Sequence, residues 1–108
     1  MSVAYLQVLT TIDSRDAAER VGRAVVEARV AACAQVVGPI HSTYWWEGKV
    51  ETAEEWQVLM KTTEQRYAEL ERVIRQAHSY DVPEIIATPI TGGGTDYLSW
   101  VEKETRPA

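Results

Sequence analysis

The side chains of this sequence best suited to hold a metal are few: one cysteine, Cys33, and two histidines, His41 and His78. A thiolate is a soft donor suited to Cu(I), while an imidazole suits Cu(II) or Zn. None of the three stands in a local cluster, and the paired CxxC units of a structural zinc site are absent. A copper ligand set that uses Cys33 must therefore be assembled across copies of the chain. The plainer reading makes Cys33 a small buried strand residue, because free cysteine is among the most buried residue types. His78 also has two readings. It is either a cation set against the carbonyl end of a helix or one member of a convergent group, since Tyr80, Asp81 and Glu84 follow within six positions on an extended loop stiffened by Pro83. Glu55 and Lys61 are an even number of residues apart on one strand and so share a face with Gln57 and Leu59. Such a pair is usually solvated, but placed against the His78 loop of a second copy the same residues line an intersubunit pocket.

Other chemistries find less support. Gly92-Gly93-Gly94 precedes a helix, and helix N-termini favour anions, but the Lys and Ser/Thr of a phosphate-binding P-loop are missing. There is no Gly-x-Ser-x-Gly elbow, and no serine, histidine and acid share a spacing that would make a nucleophile. The segment "TTIDSRD" offers Arg15 to a phosphate, yet Asp13 and Asp16 flank it and oppose an anion.

These residues need elements to position them. Residues 3–12 read as a buried strand of β-branched and aromatic side chains. Asp13 or Ser14 caps a helix whose apolar stripe is Ala17, Val21, Ala24, Val25 and Ala28, ending near Arg29. Residues 30–46 run extended, with a bend or bulge at Gly38-Pro39, because proline donates nothing to a ladder. Glu47-Gly48 supplies a tight turn, and residues 49–62 return as a second long strand. Thr63 caps a helix bearing Tyr67, Leu70, Val73, Ile74 and Ala77, which Pro83 bars from continuing. Residues 84–90 form a short strand, and Thr95 or Asp96 opens a last helix carrying Tyr97, Trp100 and Val101. The order strand, helix, strand, strand, helix, strand predicts an α+β, ferredoxin-like (split βαβ) antiparallel sheet, with an extra C-terminal helix and helices on one face.

The two hairpin arms are the unusual feature. Arms of ~13–15 residues reach on the order of 45 Å at ~3.3 Å per residue, beyond the usual strand length. They must overhang the core. A free two-stranded ribbon is marginal in water, yet this one carries Tyr44, Trp45, Trp46 and Trp56, each able to bury roughly 150–250 Å². Neighbouring residues on a strand point to opposite faces, so Trp45 and Trp46 require a partner that grips both faces. A second copy of the chain is the natural candidate, in a closed symmetric assembly. The alternative folds the last helix back over the hairpin, with Trp100 packed on Trp45 or Trp46.

Composition agrees with one ordinary folded domain spanning residues 1–108. Of the 108 residues, 45% are apolar and 25% charged, which excludes the composition of a disordered chain. The formal charge is -5 with the basic residues scattered, so nucleic acid is a poor partner. No apolar run approaches the ~20 residues of a membrane span. The N-terminus lacks a signal-peptide pattern, and the single cysteine cannot form an internal disulfide. The expected compartment is the cytoplasm.

The segments "AAC" (31–33), "STYWWEGKV" (42–50), "EWQVLMKT" (55–62), "HSYDVPEIIATPI" (78–90) and "YLSW" (97–100) occur in order at fitting separations, and with them the chain resembles the CutA divalent-cation-tolerance proteins over nearly its whole length. The resemblance implies a tight homotrimer in which long hairpins extend sheets between neighbours, with Tyr44, Trp45, Trp46, Trp56 and Trp100 at the interface. It also implies tolerance to divalent metals, copper above all, and a signalling or scaffold role without catalysis or organic cofactor. On this basis Cys33, His78 and Glu84 are the candidate metal ligands, and Glu55, Lys61, Tyr80 and Asp81 line the candidate intersubunit cleft. The chain departs from the family pattern at Gln35, at Ser79 and Asp81, and at Trp45, where a polar or charged residue is usual.

Three functions compete: a trimeric metal-binding or metal-responsive protein, a small-molecule-sensing trimer with ligands in intersubunit clefts, and, last, an acylphosphatase-like hydrolase. Fold alone does not choose among them.

Overall fold

The computed structural model describes residues 3–107. The elements are β1 (Tyr5–Ile12), α1 (Arg15–Glu27), β2 (Cys33–Trp46), β3 (Lys49–Thr63), a 3-10 turn over Glu64–Arg66, α2 (Tyr67–Ala77), β4 (Ile85–Ile90) and α3 (Thr95–Glu104). The four strands make one antiparallel sheet in the order β2-β3-β1-β4, which is the ferredoxin-like topology expected from the element order.

Local chemistry sets most boundaries. The Ser14 hydroxyl accepts a hydrogen bond from the Ala17 N–H at 3.1 Å and so caps α1. The helix stops at Glu27, and Arg29, at φ 58°, turns the chain toward the sheet. The buried segment 30–32 is therefore a connection, and β2 begins three residues later than the sequence reading places it. Thr63 makes no side-chain cap; β3 runs through it, and the 3-10 turn intervenes before α2. Nor does Pro83 end α2, because the backbone is already extended at His78. α3 opens at Gly94 with no side-chain cap from Thr95 or Asp96.

Residue parity divides the sheet into two faces. Val8, Ile12, Val58 and Met60 point toward α1 and α2 and close a core with Val21, Val25, Leu70 and Ile74. Gly22 brings α1 close to β2; a Cβ there would lie 3.1 Å from that of Ala34. Leu9, Leu59, Val37 and Ile86 lie on the opposite face. There Val37 and Ile86 remain 44% and 50% exposed, an apolar surface that the chain's own core does not use.

The hairpin arms are 14 and 15 residues long, and the molecule measures 47 Å in its longest dimension. β1 pairs with β3 only as far as Trp56. Beyond it, seven residue pairs, from Ile40 opposite Glu55 to Trp46 opposite Lys49, form a ribbon of two strands with no third strand beside them. The register shift between Val37 and Ile40 is the bulge expected at Gly38-Pro39. Glu47 and Gly48 turn the tip with φ of 50° and 79°.

Candidate functional site

The loop after α2 is fastened to the sheet by His78 and Tyr80. The Tyr80 N–H donates to His78 Nδ1 at 3.1 Å. The ring proton therefore sits on Nε2, which donates to the Thr11 carbonyl at 2.8 Å. His78 is thus a clamp between the end of α2 and β1, where the sequence left open a cation over the helix carbonyls or one member of a convergent group. The Tyr80 ring meets the imidazole edge-on, with centroids 4.7 Å apart, and its hydroxyl donates to Glu55 Oε2 at 2.8 Å. Glu84 accepts from the Thr11 hydroxyl at 3.4 Å. Thr11 therefore receives both His78 and Glu84, although nothing in its local sequence singles it out.

Glu55 is only 7% exposed, and the Tyr80 hydroxyl is the partner that makes its burial tolerable. Burial first, and then the Glu55 carboxylate, push the Tyr80 phenol far above the ordinary tyrosine range, with Asp13 and Tyr44 adding to the effect. A raised folded-state value stabilises the fold below the ordinary tyrosine range, and that contribution is lost as pH rises through the raised value. Tyr80→Phe is expected to cost about 1–3 kcal/mol at neutral pH by orphaning a buried carboxylate. A denaturant midpoint unchanged from the native chain would contradict this.

Cys33 lies elsewhere. It opens β2, paired across the ladder with Lys61, and it is partly exposed instead of fully buried. Its Sγ lies 3.4 Å from the Tyr97 hydroxyl on α3, and that contact, followed by burial, pushes the Tyr97 phenol up to about 12. Cys33→Ala is expected to let Tyr97 ionise at lower pH, read from phenolate absorbance; an unmoved transition would show that the thiol does not reach it. Lys61 donates to the Gln35 side chain at 3.1 Å and does not join Glu55.

The candidate metal donors do not converge within one chain. Lys61, the ladder partner of Cys33, faces Gln7, four residues along β1 from Thr11, or ~13 Å at ~3.3 Å per residue. Both ring nitrogens of His78 are occupied. Among the described residues no group of three or more His, Cys, Asp or Glu could hold a metal ion. A copper centre inside a single chain does not fit these residues.

The cleft candidates divide likewise. Glu55 and Tyr80 meet within one chain, where the sequence reading set Glu55 against the loop of a second copy, whereas Lys61 sits at the far end of β3 and Asp81 is exposed on the loop. Of the interface aromatics, Trp45 and Trp46 are 75% and 53% exposed, and Tyr44 and Trp100 are also open to solvent. Trp100 stacks on Tyr97 at 5.6 Å, and the tryptophans of the tip stay exposed, so α3 does not fold back to cover them. Trp56 differs from the other four. It lies on the helix side of β3 and packs on the chain's own core, its indole filling the space above Gly38.

A family model described as CutA1 divalent ion tolerance protein matches residues 6–104. The chain is 39% identical over 97% of its length to Protein CutA 1, chloroplastic, of Oryza sativa and 38% identical to Protein CutA, chloroplastic, of Arabidopsis thaliana. It spans 59% and 58% of the length of those two proteins. It is 39% identical to the divalent-cation tolerance protein CutA of Thermus thermophilus, over 91% of this chain and 95% of that one. The solved structure of CutA1 from Oryza sativa superposes with a TM-score of 0.94 at 38% identity, covering 99% of this chain and 98% of that one. The Thermus thermophilus structure gives 0.92 at 37% identity, covering 94% and 99%.

Proposed function

The chain belongs to the CutA1 divalent ion tolerance protein family, and from that premise we propose that it acts in the cytoplasm as a non-catalytic homotrimer that binds or responds to copper or another divalent cation. The observation that carries the assembly is the two-stranded ribbon of seven residue pairs, with Trp45 and Trp46 exposed on opposite faces near its tip. A ribbon of that kind gains stability only when another surface covers it. On the sheet face turned away from α1 and α2, Val37 and Ile86 stay exposed, continue the side of Tyr44 and Trp46 and support burial against further copies. The number three comes from the family resemblance.

Metal uptake on this reading is a property of the assembly. Cys33 is remote from His78 and Glu84, which both bond Thr11 in the same chain, so on this reading copper binds between copies, with the Cys33 thiol as the soft donor. The test is native mass spectrometry of metal-free protein mixed with a small excess of Cu(II). The expected result is a trimer carrying copper in whole multiples of three. A trimer that takes up no copper contradicts the metal reading, and a monomer contradicts the assembly.

The buried Glu55, held by Tyr80 beside His78, supports a second reading, in which a small molecule is sensed at a cleft between copies. Titration with a nucleotide or bicarbonate in place of copper separates the two.

A further inference from the structure

Resting on the trimeric reading, we propose that Trp45 is an anchor whose indole enters an apolar groove on the neighbouring copy, between β4, the start of β1 and α2. The groove has a volume of about 520 Å³ and is lined by Tyr5, Leu6, Tyr67, Ala68, Pro89 and Ile90 among others, with Glu64 the one charged residue among the described residues that line it. Cavities of roughly 300–1,000 Å³ hold drug-sized ligands, so an indole has ample room.

Two observations assign this occupant. The first is the pair of free sheet edges, β2 on one side and β4 on the other. Unpaired edges of one chain are satisfied by each other when copies join head to tail and close a ring. The second is parity. When a sheet continues from one copy to the next, side chains keep their face. Trp45 shares its side of the ribbon with His41 and Thr43, and by the ladder register this is the side of the helices; Tyr44 and Trp46 lie on the other. With the β2 edge of one copy beside β4 of the next, Trp45 lies on the side of Ala87 and Pro89, where the groove opens. Trp46 faces the other way. The side chain of the ribbon that is 75% exposed and the groove thus occupy the same side of a continued sheet.

The test uses full-length protein carrying Cys33→Ala, to which Trp45→Cys and Ala68→Cys are added and oxidised. The companion variant carries Trp46→Cys with Ala68→Cys. Covalent multimers on a non-reducing gel are expected from the 45/68 pair and not from the 46/68 pair. Cross-linking of the 46/68 pair alone overturns the anchor. Because Trp45→Cys itself removes the indole, a second variant keeps Trp45 and fills the groove with Ala68→Trp. It is expected to raise the protein concentration at which the assembly half-dissociates by about tenfold or more, as loss of an interface hot spot does. An Ala68→Trp protein that assembles as well as the native chain overturns the anchor and leaves the trimer standing, whereas a native chain that is monomeric overturns both.

Discussion

Trp46→Glu is expected to leave the protein monomeric at concentrations where the native chain is fully assembled. Trp46 is 53% exposed within its own chain and takes no part in its core, so its loss costs the isolated fold little. On the assembled surface it shares a face with Tyr44 and Ile40, continuous with the uncovered side of the sheet. Truncating such an anchor costs roughly 2–4 kcal/mol of association, or about 30- to 1,000-fold in affinity per interface. Placing a carboxylate there adds the penalty of an unpaired buried charge. The measurement is sedimentation of the variant beside the native chain, with the helical far-UV circular dichroism signal expected to be retained. An assembly of undiminished mass would mean that this face of the ribbon is not at an interface.

Gly38→Val is the second large effect, and it acts through the fold. A Cβ at Gly38 would stand 2.7 Å from Trp56 Cγ and closer still to Cδ1. Trp56 cannot swing away cheaply, because it packs against the core beside Val58. The expected cost is about 3 kcal/mol, the upper end of the range for overpacking. For a domain of this size that lowers the melting temperature by roughly 10–20 °C. The substitution sits at the bulge between Val37 and Ile40 that aims the ribbon, so weaker assembly is expected as well. Pairing it with Trp56→Leu, which shortens the obstructing side chain, is expected to recover part of the loss. A native melting temperature for Gly38→Val alone would show that the bulge has slack.

The fold was largely written in side-chain spacing. Alternation and turn chemistry gave the two long arms, the bulge at Gly38-Pro39 and the turn at Glu47-Gly48. A cap at Asp13 or Ser14 followed from polar side chains preceding an apolar stripe, and the structure selects Ser14. The misplaced boundaries share one cause: backbone geometry overrode a local signal. Arg29 turns with positive φ although it is not glycine, and Thr63 stays in β3 instead of capping α2. Trp56 was readable by parity, since it alternates with Val58 and Met60, but its likeness to the tip aromatics obscured that.

The site was less legible. His78 and Tyr80 were visible as a pair, and Glu55 was set against their loop on a second copy although it lies 25 positions from Tyr80 and bonds it within one chain; Thr11, 67 positions from His78, gave no signal. Tyr97 reaches Cys33 across 64. Periodicity says which residues share a face of one element; it does not say which distant element that face will meet.

If the ribbon and the exposed Val37 and Ile86 are buried between copies, sedimentation equilibrium of the metal-free native chain over a wide range of protein concentration reads that burial without any substitution. Folding of the ribbon and assembly are linked by mass action, so the expected species has three times the 12.1 kDa chain mass and gives way to smaller ones only on strong dilution. A mass of 12.1 kDa at every concentration, with the hairpin tryptophans still open to solvent, would contradict it.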